Sequence, residues 1–192
     1  MAKQKYDYDL IVIGSGAGGS VAADIVASAG KRVAIIESDL IGGQAPNWGC
    51  VPSKALIEAA RVLNSAKTAE TFGVRTSTAG FNYPSVKAWK DLAIKRTGAP
   101  ASAKYYQSKG IGLYHGHAHF ISPHEITVNR RHLSAEHFLI ASGSSWTPLS
   151  VPVSERVTLQ NARTILDLPK PPKTLFIIGG GPTGVEFAEL FA

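Results

Sequence analysis

The stretch Tyr8-Asp-Leu-Ile-Val-Ile-Gly14-Ser-Gly16-Ala-Gly-Gly19, continued by Val21, Ala22, Ile25, Val26 and Ala29 and then by Arg32-Val-Ala-Ile-Ile36-Glu37, decides the fold. The apolar run Tyr8–Ile13 predicts a buried strand. The spacing from Val21 to Ala29 predicts a helix stopped at Gly30, and 32–36 predicts a second buried strand closed by Glu37. Strand, glycine turn, helix and strand within about 30 residues form the βαβ unit of a parallel sheet. Gly14, Gly16 and Gly19 fit the G-x-G-x-x-G spacing. The first glycine permits a tight turn, the second lets a pyrophosphate approach the backbone, and the third lets helix and strand pack closely. Free N–H groups at the positive helix end complement the pyrophosphate. Glu37 lies 18 residues after Gly19, where a carboxylate accepts ribose hydroxyls. The unit predicts a Rossmann-like, dinucleotide-binding α/β domain.

Outward from this unit, a Gly/Pro-rich stretch at 41–52 precedes a helix predicted from about Ser53 to Thr68, with Leu56, Ala59, Ala60 and Leu63 on one face. Residues 84–109 read as largely helical, interrupted at Thr97-Gly-Ala-Pro100. Gly112–Phe120, Glu125–Val128 and Phe138–Ala141 read as short strands of a small antiparallel meander. Pro148, Pro152, Pro169, Pro171 and Pro172 mark a connector. Beyond it, Thr174–Ile178 reads as a strand, followed by a second glycine turn at Gly179, Gly181 and Gly184 and a helix from Val185. The expected organisation is therefore residues 1–150 as the first part of one nucleotide-binding domain, with 151–192 as connector and start of a second Rossmann-like domain. Two such turns imply two dinucleotides, one fixed and one exchanging, and electron transfer between them. The residue choosing NAD or NADP would lie near or past position 200.

The 192 residues are 44% hydrophobic and 18% charged, which excludes a disordered or coiled-coil chain. A single cysteine, Cys50, excludes an intramolecular disulfide scaffold. The net charge of +6 is scattered along the chain and not gathered into a stripe, so no nucleic-acid partner is expected. The apolar runs are too short to span a bilayer and the charged start Met1–Asp7 lacks a signal-peptide core. The expected location is the cytoplasm. His115, His117 and His119 alternate as if on one strand face, but no fourth ligand is spaced to join them, and no metal is expected.

Residues 42–54, Gly-Gly-Gln-Ala-Pro-Asn-Trp-Gly-Cys-Val-Pro-Ser-Lys, resemble the active-site segment of the class I pyridine nucleotide-disulfide oxidoreductases, the family of dihydrolipoamide dehydrogenase, glutathione reductase and mercuric reductase. The resemblance extends to the first glycine turn with Glu37, to Phe138-Leu-Ile-Ala-Ser-Gly-Ser144, and to Ile178-Gly-Gly-Gly-Pro-Thr-Gly-Val-Glu186. It implies FAD in the first domain and NAD(P)H in the second. It further implies flavin-site roles for Gly43, Gln44, Ser142 and Gly143, and a backbone contact to the adenine at Ala118. Cys50 matches the family's second redox cysteine, whose thiolate donates charge to the oxidised flavin. Lys54 matches the lysine near the reacting flavin nitrogen, and Glu186 the glutamate that pairs with it. Cys50, Lys54 and Glu186 are thus the expected catalytic residues. Pro52 fits the first turn of the following helix, where the macrodipole and Lys54 favour a thiolate.

One departure changes the expected chemistry. The family's first redox cysteine falls on Ala45 and its threonine on Gln44. Thiol–disulfide exchange needs an attacking thiolate and a leaving sulfur, so dithiol turnover is not expected. The expected reaction passes hydride from NAD(P)H to FAD and electrons on to a small non-disulfide acceptor such as a quinone, metal ion or dye. Two alternatives stay open: a non-catalytic or redox-sensing FAD/NAD-binding module, and a flavoprotein whose single cysteine cycles through sulfenic acid or a mixed disulfide. A plain NAD-dependent dehydrogenase conflicts with the second turn and the Pro-Ser-Lys segment. Trp48 replaces an aliphatic family position, and Pro182 stands where some members carry an aromatic lid. The resemblance implies a homodimer for a full-length enzyme, and a chain cut from one about twice as long, with poor FAD affinity and no turnover by itself.

Overall fold

The structure, a computed structural model, describes residues 5–77, 80–99, 102–147, 149–150 and 152–192. Of the positions singled out above, Met1 to Gln4, Pro100 and Pro148 lie outside the described residues. Two compact units are present, each made of two chain segments. The first comprises residues 1–47 and 98–145, the second 48–97 and 146–192.

The first unit is a six-stranded mixed sheet. Strands β1 (Tyr8–Ile13), β2 (Val33–Glu37), β3 (Gly112–His115), β4 (His119–Ser122), β5 (Glu125–Val128) and β6 (Arg131–Ile140) lie in the order β3-β2-β1-β6-β5-β4. β1 pairs in parallel with β2 (Ile11 opposite Ala34) and with β6 (Ile11 opposite Phe138), and β2 pairs in parallel with β3. β4, β5 and β6 form the antiparallel meander, so β6 serves both halves.

Period-two alternation in β1 and β2 sends side chains to two different layers. Ile11, Ala34 and Ile36 pack with Ile126, Val128, Leu133 and Ala135 of the meander. Val12, Val33 and Ile35 pack with Ala23 of helix α1 (Ala17–Ser28) and Tyr106, which lies on a short helix 102–108. All five residues of β2 are buried, as a parallel strand covered on both faces requires.

The second unit is helical. After the four-residue helix α2 (Gln44–Asn47), which closes the first segment of the sheet unit, come α3 (Cys50–Thr68) and α4 (Tyr83–Arg96), then, past α5 (Ser102–Ser108) in the sheet unit, α6 (Pro182–Phe191). Leu56 of α3, Phe187 of α6 and Ile165 and Leu166 of a 3-10 turn (Thr164–Asp167) form its core, with Trp48, Leu175 and Ile177 packed against them. Asn82 caps α4 by accepting the Ser85 N–H at 3.0 Å. Among the described residues no helix is long and apolar enough to cross a membrane.

Four expectations are corrected. Gly112–Phe120 is not one strand: the chain breaks at Gly116, whose φ of 138° belongs to glycine, and β3 and β4 join different neighbours. His117 therefore lies outside any strand, the three histidines do not share a strand face, and no metal-holding cluster occurs among the described residues. β6 begins at Arg131, not Phe138, because Asn129 (φ 46°) and Arg130 (φ 68°) make the tight left-handed turn of a hairpin. Thr174–Ile178 joins no strand ladder among the described residues. Leu175 and Ile177 turn inward and Phe176 and Ile178 outward, the alternation of a strand without a partner to pair with. α3 starts at Cys50, three residues earlier than expected, and Pro52 sits in its first turn, where a missing N–H removes no helix bond.

Candidate functional site

In the first unit the candidate cofactor residues gather at the carboxyl ends of the parallel strands, the crevice in which open α/β sheets bind ligands. Gly14 carries a φ of 103°, and a side chain there would strike the Ala141 carbonyl oxygen at 2.2 Å. The turn therefore lies directly against the start of Ala141-Ser142-Gly143. Gly19 would place a Cβ 2.0 Å from the Gly14 oxygen, so the third glycine is what allows α1 to close onto its turn. Gly16 differs: a Cβ there meets nothing within 4 Å. It caps α1 without a side-chain hydrogen bond, and no acid occupies the first helical turn. With open space over Gly16 and no side-chain cap at that helix start among the described residues, the residues fit a dinucleotide pyrophosphate held by helix N–H groups.

Glu37, at the end of β2, is buried, and both of its oxygens are engaged. Oε2 accepts the Ser15 N–H (2.9 Å) and the Ser15 hydroxyl (2.5 Å), and Oε1 accepts the Asp39 N–H (2.9 Å). Burial alone would raise the carboxyl. The Ser15 hydroxyl and the N–H groups of Asp39, Ser15 and Ser38 outweigh it and hold Glu37 below its ordinary 4.5. Ser15 is fully buried, and sequence reasoning passed it over as a variable position of the glycine motif. Its signal was chemical: a hydroxyl one residue into the turn, facing the acid at the end of the next strand.

The loop after β2 lies on the glycine turn. Gly43 (φ 67°) would bring a Cβ to 2.8 Å from the Gly16 Cα, and the Gly42 N–H donates to Ser15 Oγ at 3.0 Å. Asn47 Nδ2 donates to the carbonyls of Ile41 and Gly43, at 2.9 and 2.8 Å, and shapes the loop. Gln44 and Ala45 follow in α2, Gln44 exposed. The Gly116 N–H donates to the Glu37 carbonyl (2.8 Å), which brings the turn containing Ala118 to the same end of the sheet.

The second unit holds the other candidates. Cys50 is exposed at the first position of α3. Lys54 lies one turn further, on the same helix face. Its Nζ donates to Glu186 Oε1 of α6 at 2.6 Å, so the structure brings the expected lysine and glutamate together across 132 residues of sequence. Arg61 and Glu189 form a second, looser pair between the same helices at 3.7 Å. The Trp48 ring, two residues before Cys50, lies 4.2 Å beneath the Arg163 guanidinium.

The second glycine turn repeats the first. Gly179 has φ 114°, Gly181 caps α6 in the extended conformation of Gly16, and a Cβ on Gly184 would lie 2.3 Å from the Gly179 oxygen. Pro182 sits in the first turn of α6. Each turn packs its third glycine beneath a strand-type β-branched residue, Val12 in one and Ile177 in the other.

Residues 8–192 match the family described as pyridine nucleotide-disulphide oxidoreductase. The chain is 34% identical over 190 residues to a dihydrolipoyl dehydrogenase of Acholeplasma laidlawii, covering 96% of this chain and 56% of that protein. It is 35% identical over 188 residues to a glutathione reductase of Burkholderia cepacia (98% and 41%), and 34% identical over 190 residues to a mercuric reductase of Bacillus cereus (97% and 30%). A solved structure of a cysteine-to-serine mutant of the HOCl-induced flavoprotein disulfide reductase RclA from Escherichia coli, as its Cu(II) complex, superposes with a TM-score of 0.81 at 26% identity. That match covers 97% of this chain and 40% of the other. The fold is thus that of a Rossmann-like nucleotide-binding flavoprotein domain, and the chain belongs to the pyridine nucleotide-disulphide oxidoreductase family. It spans between 30% and 56% of the length of these three relatives.

Proposed function

We propose that the chain is the nucleotide-binding front of an FAD-dependent NAD(P)H oxidoreductase that delivers electrons to a small non-disulfide acceptor. In this reading, residues 1–150 hold FAD and 151–192 open the NAD(P)H domain. The observation that carries it is the open space over Gly16 at an uncapped helix start, beside an engaged acid at the end of β2. The α1 N–H groups and the Gly14–Gly19 backbone would hold the pyrophosphate, Glu37 the ribose, and Gly43, Gln44, Ala118, Ser142 and Gly143 the rest of the cofactor. FAD, when bound, supplies the two-electron chemistry. The Gly179, Gly181 and Gly184 turn would hold the exchanging NAD(P)H.

Lys54, oriented by Glu186, would stabilise the negative charge that hydride delivery creates. The pair is substantially exposed, so it is worth only about 0–1 kcal/mol to the fold. Lys54→Met should therefore leave the melting temperature within a few degrees while slowing cofactor reduction about tenfold or more. Equal loss of stability and rate would assign the pair a purely structural role.

Cys50 is the one thiol of the chain, with Ala45 at the position matching the family's other sulfur. A single sulfur cannot complete dithiol exchange, which points to a quinone, metal ion or dye as acceptor. The exposure of Cys50 favours a second reading, a thiol that forms sulfenic acid or a mixed disulfide and makes the protein a sensor. We further propose a cytoplasmic enzyme, homodimeric at full length, with neither nucleic acid nor membrane as partner. The test is direct: the full-length protein should purify yellow and bleach with NADH or NADPH. A colourless, nucleotide-free preparation contradicts the reading, and bound FAD without NAD(P)H oxidation by any acceptor favours the sensor.

A further inference from the structure

We infer that the buried Ser15 hydroxyl is a positioning group that couples occupancy of the ribose position at Glu37 to the order of the loop Leu40–Gly43. The inference rests on the proposed nucleotide site and concerns how that site communicates with the segment that follows it.

Proton bookkeeping fixes the direction of the chain of hydrogen bonds. Glu37 is a carboxylate and only accepts, so the single hydroxyl proton of Ser15 goes to Oε2. Ser15 Oγ is then left with lone pairs alone, and it uses one to accept the Gly42 N–H at 3.0 Å. The polarity runs from the Gly42 amide through the Ser15 hydroxyl to Glu37. The Ser15 N–H donates to the same Oε2, which pins the carboxylate from two directions. A charge-assisted bond in a buried setting is stronger than its neutral counterpart and polarises the bond behind it.

Packing removes the slack that would otherwise absorb a change. Gly43 rests backbone to backbone on Gly16, and Gly42 packs against Pro46 and Ala99, where a Cβ would lie 2.9 Å from the Pro46 Cγ. Ser15 lies between Gly14 and Gly16 of the turn itself, so the group that receives the ribose and the group that holds the loop share one residue. A nucleotide that binds the glycine turn and Glu37 selects the arrangement in which Ser15 and Glu37 are paired, and that arrangement retains Gly42. By reciprocity, any event that opens the loop weakens nucleotide binding by the same factor. The loop continues into Gln44 and, six residues beyond, Cys50. Ribose occupancy would thus order the entry to the thiol segment before any redox chemistry begins.

The test is amide hydrogen exchange at Gly42 in the full-length protein freed of FAD, with ADP and 2′,3′-dideoxy-ADP as probes, each at saturation. ADP and its dideoxy analogue both present the adenine and the pyrophosphate, and only ADP presents the two ribose hydroxyls. ADP is expected to slow exchange at Gly42 about fivefold to tenfold, the effect of one retained hydrogen bond, with dideoxy-ADP leaving it unchanged. In Ser15→Ala, Gly42 should exchange faster without ligand and gain no protection from bound ADP. Equal protection by the two nucleotides, or equal protection in Ser15→Ala, overturns the coupling while leaving the nucleotide site intact. The ligand comparison uses the unmodified protein, so it decides the matter even if Ser15→Ala fails to fold. Failure of both ADP and FAD to bind overturns the nucleotide site and the coupling with it.

Discussion

A methyl group at Gly16 would project into open space, while one at Gly19 would lie 2.0 Å from a backbone oxygen. The same motif thus contains a glycine kept for the ligand and a glycine kept for the fold, and substitution separates them. Gly16→Ala should melt within about 1 kcal/mol of the parent, because its φ of −65° suits any residue, yet lose nucleotide affinity. Gly19→Ala should cost about 3 kcal/mol or more, since helix and strand must move apart. Denaturant melts alongside ADP titrations check both; a destabilised Gly16→Ala would assign that glycine to the fold. Glu37 adds a pH signature. Its carboxyl is held below 4.5 in the folded chain, so the unfolded chain binds protons more readily there. The stabilisation is complete above that value and disappears as the pH falls through the lower folded one. Melting temperatures followed from about pH 6 to about pH 3 should fall less steeply in Glu37→Gln than in the parent. Parallel curves would mean that the Ser15 bonds contribute nothing to the fold.

Among the elements, β1 and β5 lie where their apolar runs predict, and α1, β2 and α3 differ from expectation by a few residues at their ends. These segments carry their own period, so local pattern and tertiary position agree. β6 was legible only at its apolar end. Arg131, His132, Glu136 and His137 are exposed, and in that half of the strand only Leu133 and small Ala135 are buried. A strand with a half-polar face reads as a turn until its partners are known. The glycine motif and Glu37 were legible because they set a distinctive residue type at a fixed spacing, whereas Lys54 and Glu186 were legible only through the family resemblance, since nothing in a linear spacing joins residues 132 apart. Ser15 was not, because its importance lies in a contact with Glu37 that no linear spacing announces. The α4 helix offers a similar case. Lys90 is buried and bonds Asp91 (3.0 Å) and Asp167 (3.2 Å), which ties α4 to the 3-10 turn. Nearby, the Tyr83 hydroxyl is buried without a hydrogen-bond partner among the described residues. Removing it should relieve an unmet polar group, so Tyr83→Phe is expected to stabilise the protein by about 1 kcal/mol. A loss of stability in a thermal melt would show that the hydroxyl has a partner in solution.

For the molecule as a whole, each unit leaves some apolar surface uncovered. The sheet unit buries β2 on both faces but leaves Val21 and Ile25 of α1 and Ile140 of β6 exposed. In the helical unit, Phe176 is 87% exposed, and Ile178 and Val185 are also exposed. Phe176 and Ile178 belong to an extended segment that joins no strand ladder among the described residues, the kind of surface that promotes association between chains. Phe176→Thr should leave the melting temperature of the 192-residue chain nearly unchanged while lowering its tendency to self-associate, read by light scattering across a concentration series. Unchanged scattering would locate the adhesive surface elsewhere.

The position of β6 also governs time. Tyr8 stands opposite Ala135 and Ile13 opposite Ile140, so β1 waits for a partner synthesised some 127 residues later. On a ribosome adding about 5–20 residues per second, that interval is about 6 to 25 seconds. During it β1 has β2 and α1 but not its other strand neighbour, and the glycine turn lacks the Ala141 backbone that packs on it. Nucleotide added to nascent chains should therefore find its site only after β6 has emerged, and pausing translation earlier should leave β1 prey to proteases and chaperones.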